Sequence, residues 1–445
     1  MRSKILFSAI LALTLCSSGY SQEPDIKKLD QFLDHLAEKN KAMGNLLIAK
    51  DGKAIYSRSI GYSQITGTEK KPLTVANRFR IASITKMFTA VMMLQLIEEG
   101  KLKLNDNVAK FFPQVPNAEK ITIEQIFRHR SGIPNIKRTQ NAQENVNTLP
   151  ITKEEMLTLI INSKPDFEPG TQHAYSNTGY LLLGLILEKV TGKSYEESLK
   201  KRIISKIGLK DTYMATGSID VSKNEALTYM NLGNQWKPMP ETHPSILFSA
   251  GAIISTPGDL AKFIQALFDG KLVSKASVNQ MTTIVDGDGF GMQPFEFAGK
   301  TFYGHTGGGD NYGAWLAYLP EEKLAVVYTT NAKVYPVGDI VSGVVDIYYN
   351  KPFEIPSFEA FAVSTEVLDK YVGVYSNPDA PRKFTISRNG TTLFIQPGTE
   401  NPAPLEATAE NTFQIQGAIV VEFDVAKNQM TIKRGGGQRV FTKEQ

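Results

Sequence analysis

Residues 83–100 read Ser83-Ile84-Thr85-Lys86-Met87-Phe88-Thr89-Ala90-Val91-Met92-Met93-Leu94-Gln95-Leu96-Ile97-Glu98-Glu99-Gly100. Residues 83–99 predict one long helix, closed by Gly100, because glycine accepts the left-handed conformation at a helix end. On a helix, positions i and i+3 share a face, so the Ser83 hydroxyl and the Lys86 amine are neighbours. Ile84, Met87, Phe88, Val91 and Met92 flank the lysine and predict a desolvated amine. Burial disfavours the ammonium, so such a lysine can take a proton from serine. Helix-terminal N–H groups near Ser83 add a place for negative charge. Alone, SxxK equally describes a helix start with a surface lysine. It recurs at Ser198 and Lys201 within a charged run, where it predicts a solvated helix face.

Outward from that helix, residues 25–39 carry Ile26, Leu29, Phe32, Leu33 and Leu36 at helical spacing, with Asp25 placed to cap the first turn. Residues 45–50 and 53–60 flank Asp51-Gly52, a strong signal for a hairpin with a type I′ turn. Residues 100–295 predict mostly helix with Pro/Gly loops, including a very apolar buried helix at 180–190. Strand signals return at 301–305, 314–319 and 324–330, the last two joined by Pro320-Glu321-Glu322-Lys323, and a helix follows at 336–349. Strands at both ends with helices between them give an α+β class: one antiparallel sheet flanked by helices, with an inserted helical subdomain. Its cleft is the expected place for a site.

Residues 351–364 hold Pro352 and Pro356 without a period and read as a linker. Beyond them, alternating runs at 383–387, 392–396, 412–416, 419–425, 430–433 and 439–442 predict a small all-β barrel or sandwich, with Gly435-Gly436-Gly437 turning between the last two.

A second chemical element is Tyr175-Ser176-Asn177. A tyrosine near an ammonium ionises more readily and can act as a base, while an asparagine amide can bind a substrate carbonyl. YxN also starts at Tyr229, Tyr348 and Tyr375, which read as surface loop, helix end and strand start. Only Tyr175 lies between a Pro169-Gly170 turn and a very apolar helix. The third element, His305-Thr306-Gly307, ends a predicted strand and is followed by Gly308 and Gly309, where backbone can approach a ligand closely. The N–H groups of Gly308 and Ser83 could together form an oxyanion hole. By itself this triplet reads as a Gly-rich strand end with an exposed histidine. Arg130-Ser131-Gly132, a similar triplet, lacks the strand context.

Taken in order, SxxK, YxN and HTG resemble the serine β-lactamase/penicillin-binding-protein superfamily, in its class C β-lactamase, DD-peptidase and esterase branch. The resemblance covers roughly residues 25–350 and extends to the stretches 127–134 (FRHRSGIP), 167–180 (FEPGTQHAYSNTGY) and 255–263 (STPGDLAKF). The C-terminal unit resembles the lipocalin-like β-domains appended to such hydrolases. The resemblance implies that Ser83 is the acylated nucleophile, Lys86 its proton partner and Tyr175 the shuttle to the leaving group. It also implies that Asn177 holds an acyl-side amide, that His305, Thr306 and Gly307 line the pocket, and that Ser83 and Gly308 supply the oxyanion hole. Many members have lysine where His305 stands. A histidine carries less charge at neutral pH, which weakens any grip on a substrate carboxylate and shifts the reading away from β-lactamase.

The first residues read as an export signal. Arg2 and Lys4 precede an apolar run at 5–15, and Gly19 and Ser21 suit cleavage before Gln22. The run is too short for a stable membrane span. Cys16 raises lipidation, but Leu15 before it fits poorly. Loss of residues 1–21 lowers the formal charge of +4 by the two basic residues to +2, too little to imply nucleic acid or acidic lipid. The only cysteine leaves with the leader, so no disulfide is expected.

GxSxG is missing, so no α/β-hydrolase elbow is predicted. Gly192-Lys193-Ser194 has Leu187 where a P-loop needs its first glycine, and reads as a helix cap. His35, His129, His173, His243 and His305 are scattered without HExxH, so neither metal nor cofactor is expected. The expectation is a signal peptide at 1–21, a serine hydrolase domain at 22–350, a linker at 351–364 and a β-barrel at 365–445. The enzyme is expected to be periplasmic or secreted and to act on a D-amino-acid peptide from the cell wall or on a small ester. β-Lactamase and a non-catalytic penicillin-binding sensor are the alternatives, and the oligomeric state is open.

Overall fold

The computed structural model describes residues 24–136, 148–232, 235–309, 311–358, 361–380, 382–398, 402–415, 419–434 and 437–444. The expected leader with Cys16 and most of the Gly435-Gly436-Gly437 turn lie outside them.

Asp25 caps helix Ile26–Glu38 through the Lys28 N–H, as its position predicts. Strands Ala42–Lys50 and Lys53–Ile60 form the hairpin, with φ of +48° at Asp51 and +73° at Gly52. Positive φ at both turn residues matches the right-handed twist of the flanking strands. The hairpin pairs with strands from the other chain end in one antiparallel sheet. Its order is Gln293–Phe297, Lys300–Gly309, Tyr312–Leu319, Leu324–Lys333, Ala42–Lys50, Lys53–Ile60.

Both faces of this sheet are covered. Leu46, Ile48, Val326 and Tyr328 pack with Leu29, Phe32, Leu33 and Leu36 and with the helix Val337–Tyr348. Alternate residues Leu47, Ala49, Ala325 and Val327 share the opposite core with helices Thr85–Glu98, Asn177–Thr191 and Pro257–Phe268. Side chains alternate between faces with period two, so a central strand covered on both sides is apolar almost throughout.

The helical lobe differs from the sequence expectation in detail. Short strands Phe79–Arg80 and Tyr213–Met214 flank Ile253–Ser255, and Tyr229–Asn231 pairs with Trp236–Pro238. Such two- and three-residue strands carry too few residues to show a period. The expected solvated face at Ser198 is half wrong. Lys201 is exposed, but Ser198 and Leu199 are buried, because Tyr195, Ser198 and Leu199 form an i, i+3, i+4 stripe against the core. Tyr229 is likewise no surface residue. It is fully buried, and its hydroxyl accepts the Ile65 N–H at 2.6 Å.

Residues 351–358 form neither helix nor strand, yet they pack. Phe353 meets Phe32 edge-on with ring centroids 4.9 Å apart, and Phe358 stacks on His35 at 5.5 Å. After helix Thr365–Tyr371, eight strands close into a barrel in sequence order, Tyr375 pairing with Lys443 at the seam. Tyr375, read as a strand start, lies in strand Gly373–Ser376, whereas Ala403–Ala409 escaped prediction because it carries Pro404 and three alanines, residues with little strand preference. The barrel has its own core around Leu368, Tyr371, Phe413, Phe423 and Phe441. No helix among the described residues is long and apolar enough to cross a membrane.

Candidate active site

Ser83 sits in a single 3-10 turn, Ala82–Ile84, immediately before helix Thr85–Glu98. Ala82 before it has φ of +45°. A non-glycine residue held there is strained by order ~1 kcal/mol and needs its surroundings to hold it. Those surroundings include the strand Lys300–Gly309. Gln293–Phe297 pairs with it only as far as Gly304, so from His305 onward that edge is left to the Ser83 turn. A Cβ added at Gly307 would stand 2.1 Å from the Ile81 carbonyl oxygen. Glycine is therefore required for the strand to lie against the turn. His305-Thr306-Gly307 does not end the strand as predicted. It lies inside it, since pairing with Tyr312–Leu319 continues to Gly309.

Lys86 is fully buried. Its Nζ lies 2.9 Å from Ser83 Oγ, 2.7 Å from Asn177 Oδ1 and 3.0 Å from the Ala250 carbonyl oxygen. Burial pulls its pKa down to about 7, against an opposing pull from the Asp288 carboxylate. A neutral amine has only two N–H groups and one lone pair. Asn177 Oδ1 and the Ala250 carbonyl can only accept, so they take the two N–H groups, and the lone pair is left for the Ser83 hydroxyl proton. The arrangement leaves Lys86 able to act as a base towards Ser83.

Tyr175 lies beside this pair, its ring centroid 5.0 Å from Lys86 Nζ. Burial pushes its pKa up, with a hydrogen bond to Ser83 pulling the other way. The expectation that a nearby ammonium eases its ionisation is reversed. Lys86 spends its N–H groups elsewhere, and a buried phenol resists becoming an anion. Ser176 caps helix Asn177–Thr191 by accepting the Gly179 N–H, which points Asn177 into the site from the first helical turn.

His305 is buried, and burial lowers its pKa to about 3, so the ring is neutral. Its Nδ1 lies 2.5 Å from the Thr306 carbonyl oxygen, which only accepts, so the proton sits on Nδ1. The imidazole lies 6.3 Å from the Tyr175 ring. A cavity of about 180 Å³ opens beside Ser83, with Asn177 and Gly308 in its wall and Ile136, Leu181, Ile246 and Leu247 on its apolar side. Ser83, Lys86, Tyr175, Asn177 and Gly308 thus gather at one place, with His305 behind Tyr175. His305, Thr306 and Gly307 do not border this cavity. A larger concavity of about 600 Å³ lies at the far end of the same helix, by Glu98 and Arg202, away from Ser83.

Three contributors were not singled out in the sequence. His129, buried with φ of +54°, accepts the Ser176 N–H on Nδ1 at 3.1 Å and packs its ring 4.3 Å from that of Tyr175. Burial holds it neutral, its pKa down to about 2. Asn135 donates to the Tyr175 carbonyl oxygen at 3.0 Å and accepts the Asn177 N–H at 2.7 Å. Ala250 offers its carbonyl from a segment bent at Phe248, whose φ is +32°. His129 falls within FRHRSGIP, a stretch that carries the resemblance but to which no site role is assigned. The other two carry no signal in residue type. Among the described residues, no group of His, Cys, Asp or Glu is placed to hold a metal ion.

A family profile described as Beta-lactamase matches residues 29–342, and the chain belongs to that family. Penicillin-binding protein 4* of Bacillus subtilis (strain 168) is 26% identical over 431 residues, covering 90% of this chain and 94% of its own. The D-alanyl-D-alanine-carboxypeptidase/endopeptidase AmpH of Escherichia coli (strain K12) is 26% identical over 80% of this chain and 100% of its own. The crystal structure of D-amino acid amidase from Ochrobactrum anthropi SV3 with D-phenylalanine superposes with a TM-score of 0.66 at 25% identity, over 73% of this chain and 98% of that one. The protein is a serine hydrolase of the β-lactamase and penicillin-binding-protein superfamily.

Proposed function

We propose that the protein is an exported acyl-transfer hydrolase in which Ser83 attacks the carbonyl of a small D-amino-acid peptide, amide or ester, and water then releases the acyl group. The observation that carries this reading is the buried Lys86 amine, 2.9 Å from Ser83 Oγ and with a pKa near 7. In acylation the Ser83 proton passes to the Lys86 lone pair while Oγ bonds the carbonyl carbon. The resulting oxyanion faces the N–H groups of Ser83 and Gly308. Its collapse breaks the bond to the leaving group, which takes a proton from the Tyr175 hydroxyl as Lys86 returns one. Tyr175 serves as a proton relay rather than a standing phenolate, in keeping with its raised pKa.

Two features support the substrate class. The apolar cavity of about 180 Å³ suits a small acyl portion, since pockets for whole drug-sized ligands run ~300–1,000 Å³. The neutral His305 offers no cation for a substrate carboxylate, which favours an amide or ester without one over a penicillin or a peptide with a free C-terminus. The carboxypeptidase and amidase relatives agree with a D-amino-acid acyl group.

The test is intact-protein mass spectrometry after a fluorophosphonate and, separately, a penicillin, with Ser83→Ala as control. An adduct on Ser83 that vanishes in the variant is expected. Loss of the penicillin adduct with time would make the protein a lactamase, and its persistence a penicillin-inhibited peptidase. Fluorophosphonate labelling alone would favour the esterase. No adduct from either reagent on folded protein would overturn the mechanism in favour of a binding protein.

A further inference from the structure

Linked to Tyr175 through the rings of His173 and His129 is a buried carboxylate that the steps above do not use. Asp288 is 5% exposed. His173 Nε2 lies 3.0 Å from Asp288 Oδ2, and Gln293 Nε2 donates to Oδ1 at 3.1 Å. Both oxygens are therefore held, in a turn where the Val285 N–H and the Asp288 N–H bond each other's carbonyls. That turn is pressed on the Ser83 helix. A Cβ added at Gly291 would fall 2.8 Å from the Lys86 carbonyl oxygen and 3.2 Å from Ala90 Cβ. Phe290 stacks on Phe127 with centroids 4.6 Å apart, and Arg128 lies over its ring. Arg130 pairs with Asp286 alongside.

The groups around Asp288 make its charge consequential. His173 faces it directly, and the His173 ring stands 6.2 Å from that of His129. Tyr175 and Tyr180 lie close enough for Asp288 to oppose their ionisation, Arg128 acts in the other sense on Tyr180, and neutral His305 stands behind Tyr175. Unlike Arg130, which pairs with Asp286, Lys86 has no carboxylate among its hydrogen-bond partners, which are Ser83, Asn177 and Ala250.

We propose that Asp288, gripped by His173 and Gln293, is the counter-charge for the ammonium that forms on Lys86 when Ser83 gives up its proton. It touches neither substrate nor the reacting oxygen. It is a positioning residue that acts through Lys86, and the inference rests on the reading of Ser83 as the acylated group. A buried base must be neutral before the step and cationic after it, and a desolvated amine resists the second state. A fixed carboxylate beyond hydrogen-bond reach favours the cation without occupying the lone pair. Asp288 pulls Lys86 upward against the larger effect of burial, in the direction this role requires.

The experiment measures the rate of Ser83 acylation by a p-nitrophenyl ester from pH 5 to 9 in the full chain and in Asp288→Asn and His173→Gln. Asn keeps the shape and removes the charge, while Gln at 173 keeps a donor to the carboxylate. Removing the carboxylate makes Lys86 easier to deprotonate. The acid limb of Asp288→Asn is therefore expected about one pH unit below that of the native chain, with a plateau rate about tenfold lower because the amine is a weaker base. His173→Gln is expected to leave the limb where it is. An unmoved limb in folded Asp288→Asn, or equal movement in both variants, would overturn the proposal and leave only a packing role. Where the asparagine variant does not fold, Asp288→Ser removes the same charge and admits water. If Ser83→Ala reacts like the native chain, the acyl-enzyme reading itself has failed, whatever the limbs do.

Discussion

Lys86 is kept in the core at a cost. Its pKa falls from 10.5 to about 7, so at and below neutral pH the folded protein carries an ammonium that water would solvate better. That shift corresponds to several kcal/mol, offset in part by the three hydrogen bonds at Nζ. The sign follows from proton binding. Between about pH 7 and 10.5 the unfolded chain holds a proton on Lys86 that the folded chain has lost, so this residue makes stability rise with pH in that window. Lys86→Met should abolish Ser83 labelling while raising Tm by a few degrees at pH 6. The gap over the native chain should shrink towards pH 10. Thermal melts across that range check it, and a gap that does not narrow would mean that burial of charge is not the cause. Sequence neighbours predicted a desolvated lysine. That Asn177 and Ala250 would take its two N–H groups depended on segments far along the chain.

At the scale of elements, the decisive piece is the loop that carries Tyr175 and Asn177. Its far end is secured locally, by the Ser176 cap on the following helix. Its near side is secured by tertiary contact, from His129 and from Asn135, which bonds the residues on both sides of Ser176. Asn135 is exposed, so truncating it should cost little stability, while the freed loop displaces Asn177 from Lys86. Asn135→Ala is expected to lower the acylation rate by about 10–100-fold with Tm changed by no more than about 2 °C, since a displacement of ~1 Å can cost two orders of magnitude in rate. Stopped-flow acylation and a melt on one preparation test this. Unchanged acylation would show that His129 and the cap alone hold the loop. The helix after the loop was readable from its run of leucines. The anchors were not, because an asparagine after Pro134 looks like any turn residue until the partner segment is known.

At the scale of the whole molecule, two chain ends meet in one sheet, and residues 351–358 run back over the helix Ile26–Glu38. The segment reads as a spacer in sequence, yet Phe353 lies against Phe32, and Gly343 is small enough to admit its ring. The lining of the cavity beside Ser83 extends no further than Tyr312, and the barrel core is separate. A chain ending at residue 358 should therefore keep ester hydrolysis. One ending at 350 should melt several degrees lower, because losing a packed phenylalanine costs ~3 kcal/mol. Circular dichroism melts of the two truncated chains decide it, and equal midpoints would return the segment to the status of a passive linker.

The sequence by itself determined what depends on near neighbours. The Asp25 cap, the Asp51-Gly52 hairpin, the SxxK pairing of Ser83 with Lys86, the apolar helix after Tyr175 and the alternation of most barrel strands all arise within a few residues. Tertiary structure decided the meeting of the motifs, the partners of the Lys86 amine and the protonated state of Tyr175. Burial lowers the pKa of Lys86 and His305 and raises that of Tyr175, and much of that burial comes from residues distant in the chain. Gly307 matters because the Ile81 carbonyl fills the space where a side chain would be. Spacing along a chain sets which groups share a face, whereas desolvation and close approach are set by what packs on that face from elsewhere.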